Sequence, residues 1–148
     1  MPTLISQEMM REIIVDHYKS PLNKKTPEDT SDYLQTRMNS DSCIDDFNIF
    51  VKIENEKIAD ACFDGIGCAI STASTDILCE LIKGKTWEEA QYIMTQYENM
   101  IFEKEYDDSV LEELNAFVNT HKQASRIKCA TIAVGGLNKI HEETYKSK

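Results

Sequence analysis

The hydrophobic pattern changes period at Asp64-Gly65-Ile66-Gly67-Cys68, and that break limits what the chain can become. Before it, Phe47, Ile49, Val51 and Ile53 alternate with Asn48, Phe50 and Lys52, a period of two that predicts a strand with one buried face. Glu54-Asn55-Glu56-Lys57 is a polar turn and Ile58 to Asp64 reads as the returning strand, which predicts an antiparallel hairpin. After the break, Ile70, Ala73, Ile77, Leu78, Leu81 and Ile82 recur every three or four residues, with Gly84 at the helix stop. The two glycines therefore deliver the Cys68 thiol to the start of a helix.

The flanking segments add helices around that hairpin. Ile5, Met9, Met10, Ile13, Ile14, His17 and Tyr18 lie at helical spacing behind Ser6, a cap residue, and the helix must end near Lys19 or Ser20 because Pro21 follows. Pro21 to Asp46 is polar, with a short strand predicted only at Tyr33 to Met38, and a polar loop of that length in a compact domain points to function. Thr86-Trp87-Glu88-Glu89 has the form of a capping box, and Ser109-Val110-Leu111-Glu112 repeats it ahead of Leu114, Phe117 and Val118. Between them Glu103 to Asp108 reads as a solvated acidic connection. A last helix is predicted from about Cys129 through Ile132, Ala133, Leu137 and Ile140, although Gly135-Gly136 costs it roughly 1 kcal/mol per glycine. The expected fold is α+β: one domain over residues 1–148, a small antiparallel sheet with helices packed on one face.

The chain has 148 residues, enough to bury one core without staples, and 26 acids against 16 bases. That acidic balance argues against nucleic acid and anionic membranes as partners. The beginning of the chain lacks a basic and an apolar signal region, and Asp76 and Glu80 interrupt the most apolar stretch, so a cytoplasmic protein without a membrane span is expected. In a reducing compartment, five cysteines suit metal ligation or thiol chemistry better than a disulfide framework.

Cys43 and Asp45 sit two apart in the polar loop, while Cys68 and Cys129 are each expected at a helix start, where backbone N–H groups favour the thiolate. Three thiolates and a carboxylate together would need a bound cation. From spacing alone, scattered thiols of this kind also fit small buried hydrophobes, and Cys62, inside a strand, and Cys79, among Leu78, Leu81 and Ile82, are expected in the core. His17, on an apolar helix side, is expected as a hydrogen-bonded core or boundary residue, and His121 and His141 as solvated ones.

Three segments carry a resemblance. Ile14-Val15-Asp16-His17-Tyr18-Lys19-Ser20-Pro21-Leu22-Asn23, Cys43-Ile44-Asp45 with Gly65-Ile66-Gly67-Cys68-Ala69-Ile70-Ser71, and Arg126-Ile127-Lys128-Cys129-Ala130-Thr131 resemble, in this order, the SufU and IscU (NifU-like) proteins of iron-sulfur cluster assembly. Lys128 before the third cysteine, and the long spacing from Cys68 to Cys129, are similar to the SufU branch. The resemblance implies a sulfur carrier or sulfurtransferase with zinc held by Cys43, Asp45, Cys68 and Cys129. It further implies a SufS-type cysteine desulfurase as sulfur donor, Cys43 as the acceptor thiol, and downstream iron-sulfur assembly proteins as recipients. The alternative it implies is a scaffold on which Fe2+ is gathered and a [2Fe-2S] cluster assembled and handed on. Ile44 stands where the family usually has glycine, Ser40-Asp41 where it has Asn-Pro, and Val134-Gly135 where the SufU branch often has an aromatic and histidine; none removes a ligand.

Overall fold

The structure, a computed structural model, describes residues 6–39 and 44–146. Helix α1 (Gln7–Lys19) leads through a loop to strands β1 (Leu34–Asn39), β2 (Asp46–Glu54) and β3 (Lys57–Ile66), then to α2 (Ala69–Ile82), α3 (Trp87–Ile101), α4 (Ala124–Ala130) and α5 (Ile132–Lys146). The strands form an antiparallel sheet in the order β1-β2-β3. Ser6 caps α1, its hydroxyl accepting from the Met9 N–H at 3.1 Å, and Thr86 and Glu89 form the reciprocal capping box of α3.

Asn55 and Glu56 turn β2 into β3 with φ of 53° and 65°, the pair of left-handed residues that matches a tight hairpin to the twist of its strands. Phe47, Ile49 and Val51 then oppose Gly65, Phe63 and Ala61, and the rings of Phe47 and Phe63 meet edge to face at 5.4 Å. These residues are buried against the helices. On the other face Phe50 opposes Cys62 under the Tyr33 ring, while the outer edge of β3 is taken by Asn23 and Lys25, whose backbones exchange hydrogen bonds with Phe63. That pairing protects an otherwise open strand edge.

α2 is the central helix: every residue from Ser71 to Ile82 except Glu80 is buried, and α1, α4, α5 and β3 all pack on it. α5 crosses β1 and β2 at its two glycines. A Cβ at Gly136 would lie 2.6 Å from Ile49 Cδ1, so glycine is what allows the helix so close to the sheet, and its helix-propensity cost is offset by contact.

Two expectations change. The segment after Ser109 is not an α-helix but 3₁₀ turns at Asp108–Val110 and Glu112–Phe117. Leu111, Leu114 and Phe117, all buried, repeat strictly every third residue, which is the 3₁₀ period, and Asn115 Nδ2 donates to the carbonyls of both Asp108 and Glu112 at 3.0 Å. The cap is Asp107, which accepts from the Ser109 N–H, and not Ser109 itself. The last helix is also two helices, broken at Thr131, whose N–H and hydroxyl both donate to the Ile127 carbonyl. Cys129 therefore closes α4 instead of opening α5.

Candidate metal centre

Cys68 is the N-cap of α2. Its sulfur accepts from the N–H of Ser71 at 3.4 Å, so the positive end of the helix lies against the thiol. The lead-in needs both glycines: Gly65 has φ of 112°, with a Cβ there 2.1 Å from the Asp46 carbonyl, and a Cβ at Gly67 would strike the Phe47 ring and Ser71 Oγ. Sheet register thus fixes where Cys68 emerges.

Asp45 precedes β2, and the strand pairing of Asp46 with Ile66 brings it beside the start of α2. Its Oδ1 accepts from the Cys68 N–H at 3.0 Å and from Ser71 Oγ at 2.7 Å. Its Oδ2 is buried with no hydrogen-bond partner among the described residues, and the residue is 1% exposed. An ionised carboxylate oxygen in that position is costly unless something of positive charge meets it.

Cys129 reaches the same place from α4. It is fully buried, its carbonyl lies 3.5 Å from Ser74 Oγ, and the next carbonyl, of Ala130, accepts from Tyr97 Oη at 2.8 Å. The helix-start argument for its thiolate does not hold, because Thr131 ends α4 beyond it. α4 packs on α2, and the Ser74 hydroxyl of α2 meets the Cys129 carbonyl.

One ligand atom each from Asp45, Cys68 and Cys129 lie within 4.8 Å of one another. Two sulfurs and a carboxylate oxygen are a donor set for a tetrahedral divalent ion such as zinc, and the unpartnered Asp45 Oδ2 is the observation that a cation would resolve. The fourth expected donor, Cys43, lies outside the described residues.

The remaining thiols and histidines separate from this cluster. Burial pushes the Cys62 thiol up to about 11, with the Asp60 charge adding to it, and burial raises Cys79 as well, so both are inert core groups. His17 Nδ1 and Asp76 Oδ2 are 2.5 Å apart and His17 Nε2 is 3.1 Å from Glu113 Oε1. His141 does not stand in solvent: its ring packs on Trp87 at 5.0 Å and is partly buried. His121, also partly buried, lies 3.4 Å from Glu103.

Two buried polar residues, one beside the cluster and one structural, carry little local signal in the sequence. Ser71 was visible only as the last residue of a motif, although a serine at the third helical position after a capping cysteine is a signal for a shared hydrogen bond. Asp76 was noted only as a charge interrupting an apolar run. Among the described residues no helix is long and apolar enough to cross a membrane.

Comparison with known proteins gives a consistent picture. Residues 9–134 match the model of the NifU-like N-terminal domain. The chain is 37% identical over 132 residues to the zinc-dependent sulfurtransferase SufU of Bacillus subtilis strain 168, covering 88% of each chain. It is 30% identical over 126 residues to the scaffold protein IscU of Streptococcus pyogenes serotype M1, covering 84% of this chain and 77% of that one. Among solved structures, a protein assigned as an iron-sulfur cluster assembly scaffold for the SUF system in Fervidobacterium islandicum AW-1 superposes with a TM-score of 0.78 at 34% identity, covering 86% of this chain and 92% of that one. A NifU-like N-terminal domain from Brucella abortus superposes with a TM-score of 0.80 at 12% identity, covering 97% of this chain and 100% of that one, a likeness of fold.

Proposed function

The chain belongs to the NifU-like N-terminal domain family, and from that premise we propose that it is a zinc-dependent sulfur carrier that accepts persulfide sulfur from a cysteine desulfurase for iron-sulfur cluster assembly. The observation that carries this reading is the convergence of Asp45, Cys68 and Cys129, with one buried Asp45 oxygen left unpartnered. Zinc would be held by these three with Cys43, and when bound it would neutralise and orient the thiolates.

Cys43 is the proposed acceptor. It stands two residues before Asp45 in the sequence. Cys68 is fixed by its helix cap and Cys129 by packing, which leaves neither suited to reach toward a donor. In the transfer, the Cys43 thiolate attacks the outer sulfur of the donor's persulfide, the donor's cysteine thiolate leaves, and Cys43 carries the sulfur as its own persulfide. Downstream iron-sulfur assembly proteins would receive it.

The second reading, a scaffold that assembles a [2Fe-2S] cluster, is favoured by the IscU relatives and uses the same side chains. Lys128 favours the carrier, since a histidine there would offer a further ligand. Metal analysis of the purified protein, joined to an assay of alanine formation by a SufS-type desulfurase, separates the two. Stoichiometric zinc and stimulated alanine formation are expected, both stimulation and persulfide labelling being lost in Cys43→Ala. A transferable coloured cluster in place of zinc would select the scaffold, and full stimulation by Cys43→Ala would remove Cys43 as the acceptor.

A further inference from the structure

Ser71 contacts both of the anchored donors. Its hydroxyl donates to Asp45 Oδ1 at 2.7 Å, its N–H donates to Cys68 Sγ at 3.4 Å, and Ser71 Oγ lies 3.5 Å from that sulfur. It is fully buried. Asp45 arrives from the loop before β2 and Cys68 from the end of β3, so this one residue locks two chain segments into a single donor arrangement.

The two oxygens of Asp45 are treated unequally. Oδ1 already has two donors, the Cys68 N–H and the Ser71 hydroxyl, while Oδ2 has none among the described residues. A carboxylate can bind a metal through one oxygen or both, and the choice sets the coordination number. With both hydrogen bonds made, Oδ1 is turned away from that task.

We propose that Ser71 is a positioning residue that restricts Asp45 to one-oxygen ligation, and so holds the site to four-coordinate, zinc-like geometry against metals that take more oxygen ligands. The inference rests on the reading of Asp45, Cys68 and Cys129 as ligands and adds a determinant of metal selectivity to it. The hydroxyl acts through Asp45, the carboxylate to which it donates. Ser71→Ala frees Oδ1 from one of its two donors, so the carboxylate can swing to bind through both oxygens.

The test uses the full chain loaded with Co2+ as a spectroscopic stand-in for Zn2+, with zinc affinity measured by competition against a chelator. In the unmutated protein the visible bands should have the high intensity of a four-coordinate ion. In Ser71→Ala they should fall several-fold in intensity, as for five coordination, and zinc affinity should fall about 10- to 100-fold, the usual cost of losing a hydrogen-bond partner behind a ligand. The affinity loss should vanish when Ser71→Ala is made in an Asp45→Ala background. An equal loss in both backgrounds, or unchanged cobalt bands in Ser71→Ala, overturns the proposal. X-ray absorption on the zinc-loaded unmutated chain tests it without any substitution, since a carboxylate bound through both oxygens there refutes it outright. Failure of the unmutated chain to bind zinc at all would count instead against the proposed function.

Discussion

Two buried aspartates lie at opposite ends of the same design. Asp76, on α2 and 0% exposed, is completed by the protein: Oδ1 accepts from the Asn23 N–H at 2.7 Å, and Oδ2 from the Leu22 N–H at 3.1 Å and from His17. Asp45, nearly as buried, has one satisfied oxygen and one with no partner among the described residues, and its neighbours are thiols in place of a cation. Burial alone does not distinguish them. A carboxylate with both oxygens engaged contributes to folding, because the desolvation penalty has been offset inside the chain. A carboxylate left half engaged beside two sulfurs retains binding capacity for something from outside.

That contrast breaks most sharply at Asp76. Asp76→Ala should cost about 3–5 kcal/mol in urea unfolding of the metal-free chain, because it strands two backbone N–H groups and a histidine that joins α1 to α2. Asp45→Ala should behave in the opposite way. Its metal-free stability should change by about 1 kcal/mol or less, since two lost hydrogen bonds are offset by removing a buried oxygen that has no partner among the described residues. Its zinc affinity, measured against a competing chelator, should fall at least about 100-fold, or about 2.8 kcal/mol. If Asp45→Ala unfolded the metal-free chain as readily as Asp76→Ala, the half-engaged carboxylate would be structural after all.

The same contrast explains what could be read from the sequence. Cys68 was legible because a change of period and two glycines are local signals, and the structure puts it at the helix cap they predict. The β2–β3 hairpin follows from alternation at Phe47 to Ile53 and the polar turn at Glu54 to Lys57, and β1 lies where the short strand at Tyr33 to Met38 is predicted. Apolar spacing runs across Thr131 without interruption and so places Cys129 at a helix start, and only the backbone reveals the break. Gly135 and Gly136 looked like a weakness in a helix, since their benefit lies in Ile49 and Met38 on other elements. Leu111, Leu114 and Phe117 fit either helix type by apolar count, and the strict spacing of three was the discriminating signal. Asp76 was unreadable as a structural centre because its histidine partner is 59 residues away and no local pattern joins them.

His17→Gln probes the charge that completes Asp76. Burial disfavours the His17 imidazolium, but hydrogen bonds to Asp76 and Glu113 and their negative charges outweigh it, so its pKa is raised above the ordinary 6.5. A group that holds its proton more tightly in the folded chain contributes stability that is fully present below the unfolded pKa and is lost as pH rises through the folded one. The stability gap between the unmutated protein and His17→Gln should therefore be widest near pH 6, at about 1.5–3 kcal/mol for hydrogen bonds to charged groups, and should narrow toward pH 9. Urea unfolding of the metal-free chains across that range measures it. A gap that grew with pH would mean that burial prevails and the imidazole is neutral in the fold. Asp76 would then resemble Asp45, a buried carboxylate short of a positive partner, and completeness of its shell could no longer be what separates the two.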